Sequence, residues 1–418
     1  MTPSPGVSPG VSLPDPAAGA EWKPKGPGDA ARPNPTAVRR AGAEIVSLTS
    51  LRGVLAVWVV LYHFWPDVLA LFPWSAPLTP MASKGGFAVP AFFILSGVVL
   101  AHNYGPSFHQ LRPRELLSFL VRRLARIYPV HFVSLIAVLG MVVVIRALSW
   151  EITDSGYTLE SFVLNVLLIH TWVPQFSLSW NYPSWSISSE WFAYIMFGPA
   201  MILCNRLSAR SLWAGVVLSV VLTVALLYSP VTTPYRELLA VVPTFMLGAT
   251  FTLAWARRTG GDASGTPGRM PAALIVFWLP MAIVASCFLP VTVYPGALFI
   301  ALAALVLALY VTGQGVAFPY AAVPLVFLGE ISYSLYMTHA LAQKILYKIA
   351  PVQTYAAADL MTRLGVASVY LSVIAVGTVA MFYLVEKPAR RLVARRQRAV
   401  REVASVRPEF STGTAVIG

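Results

Sequence analysis

The sequence predicts an all-α, polytopic integral membrane protein with about ten transmembrane helices. Three observations lead there. The 418 residues are 57% hydrophobic and only 11% charged, which is too apolar for a soluble enzyme. Several apolar runs are long enough to cross a hydrocarbon core about 30 Å thick. The basic residues behind a net charge of +13 cluster between and beyond these runs, where they mark the cytoplasmic side. In a soluble protein that charge would point to nucleic acid. Here it is topological, and no nucleic-acid partner is expected.

Residues 1–43 are rich in Pro, Gly and Ala and lack the continuous apolar region of a secretory signal, so they read as a disordered cytoplasmic tail. The first span runs from Leu48 to Trp65 and is expected to stop at Pro66, which removes a helix donor. A second run, Phe87 to Asn103, contains Gly97, a residue that permits close helix approach. Arg112, Arg114, Arg122, Arg123 and Arg126 against Glu115 then mark a cytoplasmic loop. After a third span, Tyr128 to Leu148, the acids Glu151, Asp154 and Glu160 mark an outward loop. Its apolar piece, Phe162 to His170, is too short to cross and reads as re-entrant or interfacial. Trp172, Trp180, Trp185 and Trp191 suit a membrane boundary.

Further spans are expected at about 184–204, 211–229, 237–255, 271–289, 294–313, 325–349 and 367–386. Ten crossings place the basic loops at Arg206/Arg210 and Arg257/Arg258/Arg269 on the same side as the tail bearing Arg390, Arg391, Arg395, Arg396 and Arg398. Both termini are then cytoplasmic. Residues 44–392 form one transmembrane domain and 393–418 a basic tail, in a multi-pass protein of the cell inner (plasma) membrane. No inverted internal repeat of the transporter kind stands out. Cys204 and Cys287 have no metal-ligand spacing and fall near opposite faces, so neither a metal site nor a disulfide is expected.

The residues that could carry chemistry are the polar ones inside these spans. Arg52 and His63 are eleven positions apart, within about 20° of three whole helical turns and roughly 16 Å along the axis. They share one face, Arg52 near the inner end and His63 towards the outer one. A histidine there can take the proton of a hydroxyl; the alternatives are a snorkelling arginine and an interfacial histidine. In RRLAR, Arg123 and Arg126 stand at i and i+3, a pairing of guanidiniums suited to phosphate as well as to plain positive-inside flanking. In PSWSISSEW, Ser186 and Glu190 share a face, and Glu190 is expected to partner His63 and orient its ring; the alternative is a helix-start serine cluster with a Trp-rich belt and a carboxylate facing water. Ser332, Tyr336 and His339 form a polar stripe in the ninth span, as substrate lining or as satisfied structural groups. Ser96 in FFILSG lacks a nucleophile-elbow context and reads as packing or lining. A transporter using Arg52, His63, Glu190 and His339 as an ion or substrate path is a rival from another class.

Six pieces in order, SLRGVLAVWVVLYHF, FFILSG, RRLARIYPV, PSWSISSEW, LGEISYSLYMTH and VEKPARRL, resemble the membrane-bound acyltransferase family 3 over about four-fifths of the chain. Its members are integral-membrane O-acyltransferases of bacterial surface glycans, nodulation factors and some macrolides. The resemblance implies a cytosolic acyl-CoA donor, usually acetyl-CoA, with no permanently bound cofactor. It implies as acceptor the hydroxyl of a carbohydrate or glycosylated molecule on the opposite face. It makes His63 central to transfer, with Arg52 in the same motif, and Arg123 and Arg126 a donor-binding element.

Overall fold

The structure, a computed structural model, describes residues 45–110, 112–149, 156–229, 235–260, 274–312, 319–320, 322–393 and 395. The expectations for the N-terminal tail, for Glu151, Asp154 and Arg269, and for most of the C-terminal tail lie outside them. The described residues are helical, with no strand among them. The principal helices are α1 (Val46–Leu71), α2 (Ala88–Tyr104), α3 (Pro113–Ala147), α4 (Leu159–Val166), α5 (Ser184–Arg206) and α6 (Ala209–Tyr228). They continue with α7 (Arg236–Arg258), α8 (Leu279–Cys287), α9 (Tyr294–Thr312), α10 (Val323–Ile349) and α11 (Leu360–Met381).

Eight of the helical segments are long and apolar enough to cross a membrane by themselves, those containing α1, α2, α3, α5, α6, α7, α9 and α11. The other two expected spans differ for separate reasons. The segment Leu274–Cys287 is apolar but short among the described residues. Helix α10 has 27 residues, yet carries Glu330, His339, Gln343, Lys344 and Lys348. It buries Ser332, Ser334, Thr338 and His339 inside the bundle, so its length is not matched by an apolar surface.

Two crossings fix the bundle around the site. Helices α2 and α7 make the most extensive packing, and α1 with α10 the next. A Cβ added at Gly97 would collide with the backbone of Phe245, and one at Gly248 with that of Ile94. At the second crossing, Gly53 lies against the backbone of Gly329 and Leu328, and Gly329 against Thr49. Backbones this close maximise dispersion contact where the hydrophobic effect offers nothing between helices in lipid. The expected role of Gly97 is therefore met, with Gly248 as its counterpart.

Pro66 does not end the first helix. Helix α1 continues to Leu71, adding more than a turn beyond His63. A proline inside a membrane helix is tolerated when neighbouring groups satisfy the backbone around it. Here Gln343 Nε2 donates to the His63 carbonyl at 2.8 Å.

The described residues between α3 and α5 are fastened to the bundle rather than loose. His131 Nε2 donates to the Asn165 carbonyl at 2.8 Å, and His170 Nε2 bonds the Ser184 hydroxyl at 3.1 Å. Burial, with His131 stacked against it, pushes His170 down to about 3, so it stays neutral as a structural residue. Trp180, expected at a membrane boundary, is instead buried and donates to Ser161 Oγ at 2.9 Å. Cys204 and Cys287 are buried free thiols.

Candidate active site

The close crossing of α1 and α10 brings the first helix against the polar stripe, producing a cluster around His63. His63 Nδ1 lies 2.9 Å from the Val59 carbonyl, one turn back on its own helix. A carbonyl only accepts, so Nδ1 carries the proton and a neutral His63 keeps its lone pair on Nε2. His339 Nε2 stands 3.2 Å from the same Nδ1 and shares its proton as a second acceptor. The Tyr182 ring packs 4.9 Å, centroid to centroid, from the His63 ring.

Beyond His63 the network continues through residues the sequence reading missed. The Tyr182 hydroxyl donates to Gln343 Oε1 at 2.9 Å. Gln343 Nε2 donates to the Tyr347 hydroxyl at 2.9 Å, and that hydroxyl donates to Asp67 Oδ2 at 2.9 Å. The signal for Gln343 and Tyr347 was present: Tyr336, His339, Gln343 and Tyr347 fall at i, i+3, i+7 and i+11, one helical stripe. Asp67 is at i+4 from His63, but belongs to its face only because α1 passes Pro66.

The second focus lies about three turns away along α1, around Arg52. The charges that act on Arg52 are those of Arg126, Arg390, Glu190 and Glu386. Glu190 is half-buried, and its Oε1 accepts from Ser96 Oγ at 2.6 Å and from the Tyr194 hydroxyl at 2.6 Å. Glu386 is buried at the end of a π-turn, Phe382–Glu386. It accepts from Ser334 Oγ at 2.6 Å and pairs with Arg390 at 3.5 Å. Arg123 donates to the Tyr104 hydroxyl at 2.9 Å, with its guanidinium over the Tyr104 and Phe119 rings. Its fork is thereby held in place by stacking, which suits a planar guanidinium.

The expected contact between Glu190 and His63 is not made. Glu190 shares a face with Ser186 on α5, but one turn further from the start of that helix. It is Ser186, not Glu190, that reaches α10, its hydroxyl bonding that of Tyr336 at 2.8 Å. The partner of His63 is therefore His339, and Glu190 belongs with Arg52, Ser96 and Tyr194. Ser186 and Tyr336 lie between the two foci, with the Tyr336 ring 5.9 Å from that of His339. Ser332 takes no part, since its hydroxyl bonds the Gly329 carbonyl of its own helix.

The geometry thus offers a general base at one end of α1, guanidiniums at the other, and polar side chains between. Residues 45–384 match the family described as the acyltransferase domain. The chain is 28% identical over 387 residues to Acyltransferase MdmB of Streptomyces mycarofaciens, covering 84% of this chain and 93% of that protein. No solved structure matches significantly. The family match covers every helix from α1 to α11, and the chain belongs to acyltransferase family 3, the integral-membrane acyltransferases.

Proposed function

We propose that this acyltransferase moves an acyl group, in the first instance acetyl, from cytosolic acyl-CoA to a hydroxyl of an extracytoplasmic glycan or glycoside. The observation that carries this reading is the Nδ1-protonated His63, whose Nε2 is left as the base about 16 Å along α1 from Arg52. Arg123 and Arg126 take the phosphates of the donor at the inner end, and Arg52 with Glu190 lines the passage of its thioester arm. At the outer end, Nε2 of His63 removes the acceptor hydroxyl proton while the oxygen attacks the thioester carbonyl carbon. The carbon–sulfur bond breaks, and the proton on Nε2 passes to the departing thiolate, leaving an ester, free CoA and neutral His63. During transfer the Val59 carbonyl and His339 Nε2 both face the Nδ1–H and stabilise the imidazolium.

The same reading sets the orientation in the inner membrane, with both termini and the Arg257/Arg258 end of α7 cytoplasmic. Its test uses purified protein in liposomes with labelled acetyl-CoA and a deacylated glycan and metabolite extract from a deletion strain. Ester-linked label in the extract, with stoichiometric CoA release, is the expected result. Label that stays on CoA, or is released only as acetate, would overturn the reading.

A further inference from the structure

Asp67 is 3% exposed, one helical turn beyond His63 on the same face and roughly 6 Å further along the axis. A carboxylate offers about four acceptor sites and wants them filled when buried. Only Oδ2 is filled here, by the Tyr347 hydroxyl, and Oδ1 has no partner among the described residues. Gln343 also acts on Asp67 as a hydrogen-bonding neighbour, but its short hydrogen bonds run to the His63 carbonyl at 2.8 Å and the Tyr347 hydroxyl at 2.9 Å, and none meets Oδ1. The Tyr347 proton is already on Oδ2 and the Tyr182 proton on Gln343 Oε1. The short hydrogen bonds of Tyr347, Tyr182 and Gln343 all go to other atoms, and one buried acceptor oxygen, a helical turn beyond the base, is left over. Leaving it unmatched carries a desolvation penalty, larger for a charged group than for a neutral one.

We infer that Asp67 is an acceptor-binding residue whose Oδ1 takes a hydrogen-bond donor on the acceptor, a second hydroxyl or a protonated amine close to the hydroxyl being acylated. This rests on the acyl-transfer reading above and narrows its substrate class to acceptors with two neighbouring polar groups, as sugars have. It also explains why α1 runs on past Pro66: the extra turn sets a binding oxygen at a fixed offset from the catalytic nitrogen.

The experiment uses the full-length protein in liposomes, acetyl-CoA, and the deacylated extract of a deletion strain, comparing wild type with Asp67→Asn and Asp67→Ala. The half-saturating amount of extract should rise ten-fold or more in both variants, with half-saturating acetyl-CoA unchanged and thermal stability retained. Equal half-saturation by extract in wild type and variants overturns the assignment while leaving acyl transfer standing. So does a parallel change for donor and acceptor, or loss of folding in both variants, since either makes Asp67 a structural staple. Failure of the wild type to label the extract overturns the acyl-transfer reading and this inference with it.

Discussion

His63 Nδ1 and His339 Nε2 lie 3.2 Å apart, although 276 residues separate them in sequence. Because the Val59 carbonyl fixes the proton on His63 Nδ1, His339 can only be an acceptor in the neutral pair. In the proposed mechanism it holds the ring and shares the positive charge that forms during transfer. His339→Phe should lower kcat by about 10–100-fold, below the roughly 10²–10⁴ that a base itself contributes. The acyl-CoA half-saturation should not change. Steady-state kinetics varying each substrate in turn would check this.

Glu190 belongs to the other focus. Its carboxylate is held by Ser96 and Tyr194 and acts on Arg52, so Glu190→Gln should disturb the donor side. The expected effect is a several-fold weaker half-saturation by acyl-CoA, with the pH profile of transfer unmoved. A shifted profile with unchanged donor affinity would instead make Glu190 the partner of the base.

The α2–α7 crossing predicts a packing effect with no chemistry in it. Gly248→Val places a branched side chain against the Ile94 and Val98 backbone, where nothing flexible can give way. Overpacking of this kind costs about 1–3 kcal/mol. Gly365→Val on α11, where nothing lies within 4 Å, should be close to neutral. Thermal denaturation of the two variants in detergent would compare them.

Most of the fold was legible in the sequence because membrane helices announce themselves by length and apolarity. The placement of Arg52 and His63 about three turns apart on one helix was legible too, since spacing along a helix fixes it. Pairings were not. Glu190 and His63 look like natural partners by depth, but which face of α5 meets α1 is decided by packing, and Ser186 rather than Glu190 reaches α10. Asp67 was hidden by the ordinary rule that proline ends helices, which neighbouring side chains can override. Trp180 was misplaced because an aromatic belt and a buried loop anchor share one composition.

Outside the spans, Asp359 caps α11 by accepting from the backbone N–H groups of Met361 and Thr362. Hydrogen bonds from Thr362, side chain first and then backbone, hold its carboxyl below the usual aspartate range. A carboxyl depressed in the folded state stabilises above its unfolded value and loses that contribution as pH falls through the folded one. Asp359→Asn should therefore flatten the loss of stability on acidification below about pH 4. Denaturation midpoints of the two proteins between neutral and acid pH would show it.

The most direct measurement is turnover alongside acyl-CoA binding in purified, folded His63→Ala. The proposed function places the donor phosphates at Arg123 and Arg126, and Arg126 acts on Arg52, about three helical turns from the base along α1. The variant is therefore expected to bind acyl-CoA as the wild type does, and to transfer no acyl group to the acceptor extract above background. Transfer at a rate near wild type would contradict His63 as the base and leave His339 as the imidazole to be tested in its place.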